Sequence, residues 1–394
     1  MREAPPVQGL LRDLIAFPTV SRDPNRELLL YVEDYLARHG VASEILWDRD
    51  RRKGNLWATV GPADRRGVIL SGHSDVVPVD GQSWSSDPFA LRAQDGRLYG
   101  RGTADMKGFI AVALALVPEM LKRRLQAPVH LAISYDEEVG CLGVRSLVER
   151  IASMPVRPAL CIVGEPTSMR VVVGHKGGRA YRVRVTGSAA HSSLAPRAVN
   201  AIEHAAELIL FLRGIAKEWA EQGPFDAAYD LPHSTLSTGL IEGGTAMNIV
   251  PEHCELVFEF RHLAAVDAEA VTGRILAFAR DVLEPRMRAV APESGIELAE
   301  IYEYPGLDVE PEHPAVTFVK RLAERNDHGK VAFGTEGGLF RERAGVAAVV
   351  CGPGSIEQAH KADEYVETAQ LDQCGRFLRR LLDRLEEGEL AFPR

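Results

Sequence analysis

The stretch SYDEEVG (134–140) sets three acids side by side, Asp136, Glu137 and Glu138, directly after the apolar run HLAI. Adjacent carboxylates repel, and burying each one costs on the order of several kcal/mol unless a proton or a cation compensates. Other apolar runs end in a related way. GVILSGHSD (67–75) ends on His73 and Asp75, ALCIVGEPT on Glu165, and VVCGPGSIEQAH runs out to His360. GRGTADMKG places Asp105 in a Gly-rich turn before an apolar helix. Imidazole and carboxylate ligands without thiolate suit a hydrolytic zinc site. Five ligands exceed the needs of one tetrahedral ion, whereas two ions sharing a bridging carboxylate would use all five. Such a pair lowers the pKa of a bound water from about 15.7 to about 7. Glu138 then reads as a ligand. Its neighbour Glu137, pointing to the opposite side of an extended chain, reads as the base that takes the water's proton.

Each residue also has an ordinary reading taken singly. His73 and Asp75 could share a loop hydrogen bond, and Glu137 and Glu138 could be solvated turn residues. Asp105 could cap the helix at 106, a role expected in addition to ligation. Glu165 before Pro166 could be turn chemistry. What favours the metal reading is their joint placement, since ligands gather outside the carboxyl ends of strands in open α/β sheets.

The elements that would position these residues are legible as alternating strands and helices. Strands are expected at 67–75, breaking at Gly72, and at 129–135 and 159–166. RELLLYVEDYLARHG (26–40) reads as a helix ending on Gly40. MKGFIAVALALVPEMLKRRL (106–125) is too apolar for a surface helix and should lie buried against the sheet, kinked at Pro118. After residue 178 the pattern changes. RAYRVRVTG, STLSTGLIEGG and CELVFEFRH alternate polar and apolar residues, GIELAEIYEY reads as a last strand, and helices at 198–213 and 267–283 lie between them. The order is βαββαβ. Gly177 and Gly178 precede this unit and suggest a hinge. A helix at 314–326, a buried strand at 346–354 and a last helix at 370–385 resume the first pattern. The expected fold is α/β: a mainly parallel, helix-covered sheet formed by 1–178 and 305–394, with an inserted βαββαβ (ferredoxin-like) domain at 179–304.

Composition excludes several classes. The 394 residues carry a net charge of −9, which argues against nucleic-acid or anionic-membrane partners. Five cysteines, with no C-x-x-C pair, suit buried thiols in a reducing, cytoplasmic setting. There is no G-x-x-x-x-G-K-[ST] phosphate loop and no G-x-S-x-G elbow. GRGTAD starts like a dinucleotide motif, but Asp105 stands where the third glycine belongs.

The stretches SGHSDVVPV, LYGRGTADMKG, DEEVGCLG, VGEPT, AAHSS and QAHKADEY together resemble the di-zinc family of aminoacylases, glutamate-type carboxypeptidases and amino-acid deacylases, in that family's order. The resemblance implies His73, Asp105, Glu138, Glu165 and His360 as ligands of two Zn²⁺ per subunit, with Asp105 bridging and Co²⁺ able to substitute. It implies Glu137 as general base and acid, and Asp75 as the group that fixes the His73 tautomer. The insert would be the dimerisation domain of a homodimer. His191 would reach across the dimer to an oxyanion. Asn248 and Arg261 would contact a small N-acyl amino acid, Arg261 clamping its α-carboxylate. Within the family, VAFGTEGGLF and GPGSIEQAHKADEYV most resemble the branch that hydrolyses N2-acetyl-L-ornithine. Glu336 could there receive the substrate's ammonium. A desuccinylase, another deacylase or a dipeptidase would keep the site and change the substrate. A non-catalytic metal-stabilised binding protein would need the ligands without a base, which Glu137 argues against, and a bare α/β scaffold would bind no metal at all.

Overall fold

The computed structural model describes residues 7–390. The described chain divides into two compact units, one of residues 7–175, 307–330 and 335–390, the other of residues 176–306 and 331–334.

In the first unit the most apolar runs pair with one another. Val68–His73 lies between Val129–Ser134 and Leu160–Pro166, parallel to both, and Ala347–Gly352 continues the parallel set beyond Leu160–Pro166. Val68–His73, Val129–Ser134 and Leu160–Pro166 are buried along their whole length, as expected of strands covered on both faces. The flanks are antiparallel: Gly54–Val60 and Ser43–Trp47 on one side, Val172–His175 and Leu307–Asp308 on the other. The sheet is therefore parallel at its centre, where the ligand-bearing strand ends lie.

The apolar run after Asp105 forms the helix Lys107–Ala115, buried from Lys107 to Leu114. It stops earlier than its composition suggests. A separate short helix, Val117–Met120, starts with Pro118 in its first turn, where the missing N–H does no harm. Gly72 does not break its strand, which runs on to His73. A Cβ there would meet the Ile110 and Met106 side chains at 3.0 Å, and one on Gly164 would meet the Phe109 ring at 2.0 Å. Both glycines let this helix lie directly on the sheet.

The second unit is the βαββαβ arrangement, with antiparallel strands in the order Thr235–Gly243, His253–His262, Gly177–Thr186, Gly295–Tyr304. The alternation of His253–His262 is strict: Cys254, Leu256, Phe258 and Phe260 are buried in a core with Leu208, Leu212 and Ile275 from the helices. The helix expected at 198–213 is Ala201–Gln222. Asn200 caps it by accepting the Ile202 and Glu203 N–H groups at 3.1 and 3.3 Å, and Leu212, Ile215 and Trp219 extend its buried stripe. Gly177 and Gly178 are part of a paired strand. A Cβ on Gly177 would strike the His262 ring at 2.4 Å, and one on Gly178 the Tyr304 ring at 2.6 Å, so packing explains both.

Candidate metal centre

The strand Val68–His73 delivers His73 at its last position, 1% exposed. Its Nδ1–H donates to the backbone carbonyl of Asp75 at 2.9 Å, which leaves Nε2 facing inward. The Asp75 carboxylate stands farther from the ring, 3.5 Å from Nδ1. That carboxylate has a second task. It accepts the Ser21 hydroxyl at 2.7 Å and the backbone N–H groups of Glu137 and Glu138 at 3.2 and 3.3 Å. Asp75 thus fixes both His73 and the turn that carries the acidic pair.

That turn resolves the crowding of the three acids. The strand ends at Ser134, so Glu137 and Glu138 leave from a turn rather than from an extended chain. Asp136 turns the other way, with φ of 55°, and pairs with Lys53 at 2.6 Å. Glu137 joins His73 and Glu165 in one group whose potential ligand atoms all lie within 4.8 Å of one another, and Glu138 joins His73 and Asp105 in another.

Asp105 lies between two imidazoles. Its Oδ1 is 3.1 Å from His73 Nε2 and its Oδ2 is 3.1 Å from His360 Nε2. Glu165 lies 3.8 Å from the same nitrogen of His73, and Glu138 3.1 Å from that of His360. Two histidines and three acids from five distant stretches therefore form two half-sites sharing one carboxylate. The cap expected of Asp105 is absent: Met106 holds the N-cap position and no side chain caps the helix, because the Asp105 carboxylate is committed to the histidines. The Asp105–Met106 peptide is cis.

The electrostatics match a cation site. Glu137 and Glu165 are held well above the usual carboxylate range by burial and by their acidic neighbours, against the pull of His73. Glu138 is raised in the same way, although His360 pulls it down. Asp105 is driven below the usual range, because hydrogen bonds from His360 and His73 outweigh its burial. His360 is pushed up to about 10 by its hydrogen bonds to Asp105 and Glu138. One buried oxygen of Glu138 and one of Glu165 have no hydrogen-bond partner. Buried polar atoms are rarely left so. Histidine and carboxylate donors with spare lone pairs fit two divalent cations.

Glu336 is placed differently from the expectation for it. It is 1% exposed, accepts the Ser71 hydroxyl at 3.3 Å, and burial pushes its pKa up to about 7. The carboxylate is thus buried near the acidic cluster, where it acts on Glu137, rather than solvated in a Gly-rich loop.

Three expected residues belong to the second unit. His191 precedes the 3₁₀ turn Ser192–Arg197 and caps it, Nδ1 accepting the Ser193 N–H at 3.2 Å. Asn248 stands beside it, its carbonyl accepting the Ser192 N–H at 3.0 Å, so two distant stretches meet on one loop pair. Arg261 lies near the far end of the His253–His262 strand, paired with Glu259 at 3.0 Å and hydrogen-bonded to the Tyr304 hydroxyl.

Sequence reading missed Ser21, Lys53 and Ser71. They are ordinary residue types far along the chain from the groups they serve, and no spacing marks them.

Residues 69–384 match the model of the peptidase family M20/M25/M40. An acetylornithine deacetylase of Pasteurella multocida (strain Pm70) is 32% identical over 398 residues, covering 98% of this chain and 100% of the relative. The M20 family metallo-carboxypeptidase Sso-CP2 of Sulfolobus solfataricus superposes with a TM-score of 0.77 at 17% identity, over 98% of this chain and 100% of that one. A dinuclear metal binding peptidase of the M20 family from Bacillus subtilis gives a TM-score of 0.66 at 15% identity, over 97% and 98%.

Proposed function

Because the chain belongs to the peptidase family M20/M25/M40, and is thus a metal-dependent amidohydrolase, we propose that it hydrolyses N2-acetyl-L-ornithine to acetate and L-ornithine, a step of arginine biosynthesis. One observation carries the chemistry: each oxygen of Asp105 faces an imidazole, with a further acid beside each. The choice of substrate is supported by the near full-length match to a relative of that name.

Two Zn²⁺ ions, or Co²⁺ in their place, held by His73, Asp105, Glu138, Glu165 and His360 would supply Lewis acidity and a water acidic enough to ionise near pH 7. Glu137 would accept a proton from the attacking water and hand it to the leaving amine. Its burial among acids raises its proton affinity, which suits a group that must hold a proton between two transfers. Asp75 keeps His73 in the tautomer that turns Nε2 inward and holds the turn of Glu137. His191 is assigned to the developing oxyanion, Asn248 to substrate placement and Arg261 to the α-carboxylate, for which Arg261 would exchange its bond to Glu259. Glu336, being enclosed, lends no support to an ammonium-binding role, and the substrate reading does not rest on it.

A homodimer through the insert is part of the proposal. Thr235–Gly243 is an edge strand that exposes Leu240 and Ile241, and Met247 beyond it is 100% exposed. Among the described residues no helix is long and apolar enough to cross a membrane. The five buried free thiols support a reducing, cytoplasmic setting.

The test is a panel of N2-acetyl-L-ornithine, N-succinyl-diaminopimelate and dipeptides, assayed with zinc present, chelated and restored. The expected result is the highest kcat/KM on acetylornithine, abolished by chelation and recovered with zinc. Preference for a succinylated or peptide substrate would overturn the substrate and leave the metal chemistry standing.

A further inference from the structure

His360 and Asp105 approach to 3.1 Å from loops 255 residues apart. The His360 loop is unusual in its backbone, with φ of 62° at His360 and 54° at Asp363. Histidine and aspartate enter this left-handed conformation more readily than most residues other than glycine, and it turns the chain sharply here. Asp363 accepts the Ser85 N–H at 3.0 Å, and next to it stands Glu364, which is 1% exposed and which the chemistry described so far does not use. Its Oε2 accepts the Arg101 Nη1–H at 2.7 Å and the Gly102 N–H at 3.0 Å. Its Oε1 accepts the backbone N–H groups of Ala104 at 2.9 Å and of Asp105 itself at 3.1 Å. Arg101, equally buried, directs Nη2 to the Gln82 side-chain oxygen at 2.6 Å, and the Gln82 amide donates to the His360 carbonyl at 3.2 Å. The result is a closed circuit: Asp105 backbone, Glu364, Arg101, Gln82, His360 backbone, and back across the two ligand side chains.

We propose that Glu364 is the positioning residue of the cation position formed by Asp105, Glu138 and His360. It acts directly on the Asp105 backbone and, through Arg101 and Gln82, on that of His360. The inference rests on the metal-dependent reading above. Of the two half-sites, this one has two ligands held by the circuit. The other, with His73 and Glu165, depends on it only through the shared Asp105. Loosening the circuit therefore weakens one cation position much more than the other.

The test is Zn²⁺ affinity of the full-length, metal-stripped protein, measured by competition with a chromophoric chelator, together with the absorption spectrum after reloading with Co²⁺. Three variants are compared with the unmodified chain: Glu364→Gln, the double variant Arg101→Met/Glu364→Gln, and Gln82→Leu. The double variant removes both charges, so neither is left buried alone. Gln82→Leu keeps the buried pair and cuts only the tie to His360. In both Glu364 variants one of two zinc equivalents should weaken about 10–100-fold, the usual effect of removing a group that orients a ligand. The other should change by less than about 5-fold, and the Co²⁺ bands of only one position should alter. Gln82→Leu should weaken the same equivalent by a smaller factor. Unchanged affinities, or equal weakening of both equivalents, would overturn the assignment. If the Glu364 variants do not fold, Gln82→Leu decides between the same outcomes. An unmodified chain that binds two zinc ions and hydrolyses its substrate beside unaffected variants sinks this inference alone, whereas one that binds no zinc sinks the metal-dependent reading with it.

Discussion

Acids are arranged in opposite ways at the strand ends of the first unit and on the surface of the second. On the insert Glu255 and Glu218 stand at the surface beside arginines: Glu255 lies 2.6 Å from Arg182 and 3.1 Å from Arg184, and Glu218 2.6 Å from Arg274. Those carboxylates are held below their usual range by their partners. At the strand ends Glu137, Glu138 and Glu165 face other acids and two histidines, no arginine among the described residues pairs with them, and buried oxygens are left without hydrogen bonds. The exposed pairs are complete as they stand, and their contribution is small. The buried set needs a proton or a cation to offset its charge, and carboxylates perturbed in this way are the mark of a candidate site.

Substitutions in the two regions should differ accordingly. The largest effect is expected for Glu137→Gln, which keeps shape and removes the base. Steady-state kinetics should show kcat on acetylornithine lower by about 10²–10⁴-fold, with bound zinc unchanged by elemental analysis. Near-normal turnover would remove Glu137 from its role.

A middle effect is expected from Glu336→Gln in the metal-free protein. Burial raises the Glu336 carboxyl to about 7 from an ordinary 4.5. A carboxyl with a raised folded-state pKa contributes stability that is fully present below about pH 4.5 and is lost as pH rises through about 7. Chemical denaturation of the metal-free chain between those pH values should therefore show a decline on the order of 2–3 kcal/mol attributable to this group, and Glu336→Gln should flatten that part of the curve. Identical slopes for both proteins would contradict the burial argument.

The smallest effect belongs to the insert. Glu255→Gln should move the thermal midpoint by no more than about 2 °C, because both arginines remain solvated. A larger shift would blur the contrast between the two regions.

The readable parts of the sequence are those where one local pattern carries the information. Strands Val68–His73, Val129–Ser134 and Leu160–Pro166 were legible because runs buried on both faces are continuously apolar, and His253–His262 because its alternation is regular. The flanking strands Ser43–Trp47 and Gly54–Val60 escaped notice because mixed residues such as Ser43, Glu44 and Asn55 mask their period. The types and order of the ligand candidates were legible, since strand ends collect them. Their support was not. Lys53 reaches Asp136 across 83 residues and Glu364 reaches Asp105 across 259, separations set by tertiary structure alone. The misplaced expectations have a common cause as well. Local context suggests a cap role for Asp105 beside its ligand role and a loop-acceptor role for Glu336, while contacts with residues distant in the chain engage both carboxylates.

The central claim is that two divalent cations, one on each side of Asp105, compensate the buried acids. Anomalous scattering at the zinc edge, from crystals grown with zinc, tests it most directly. Two peaks about 3.5–4 Å apart are expected, one against His73 and Glu165, the other against Glu138 and His360, with Asp105 touching both. A single peak, or none within reach of Asp105, would contradict the account.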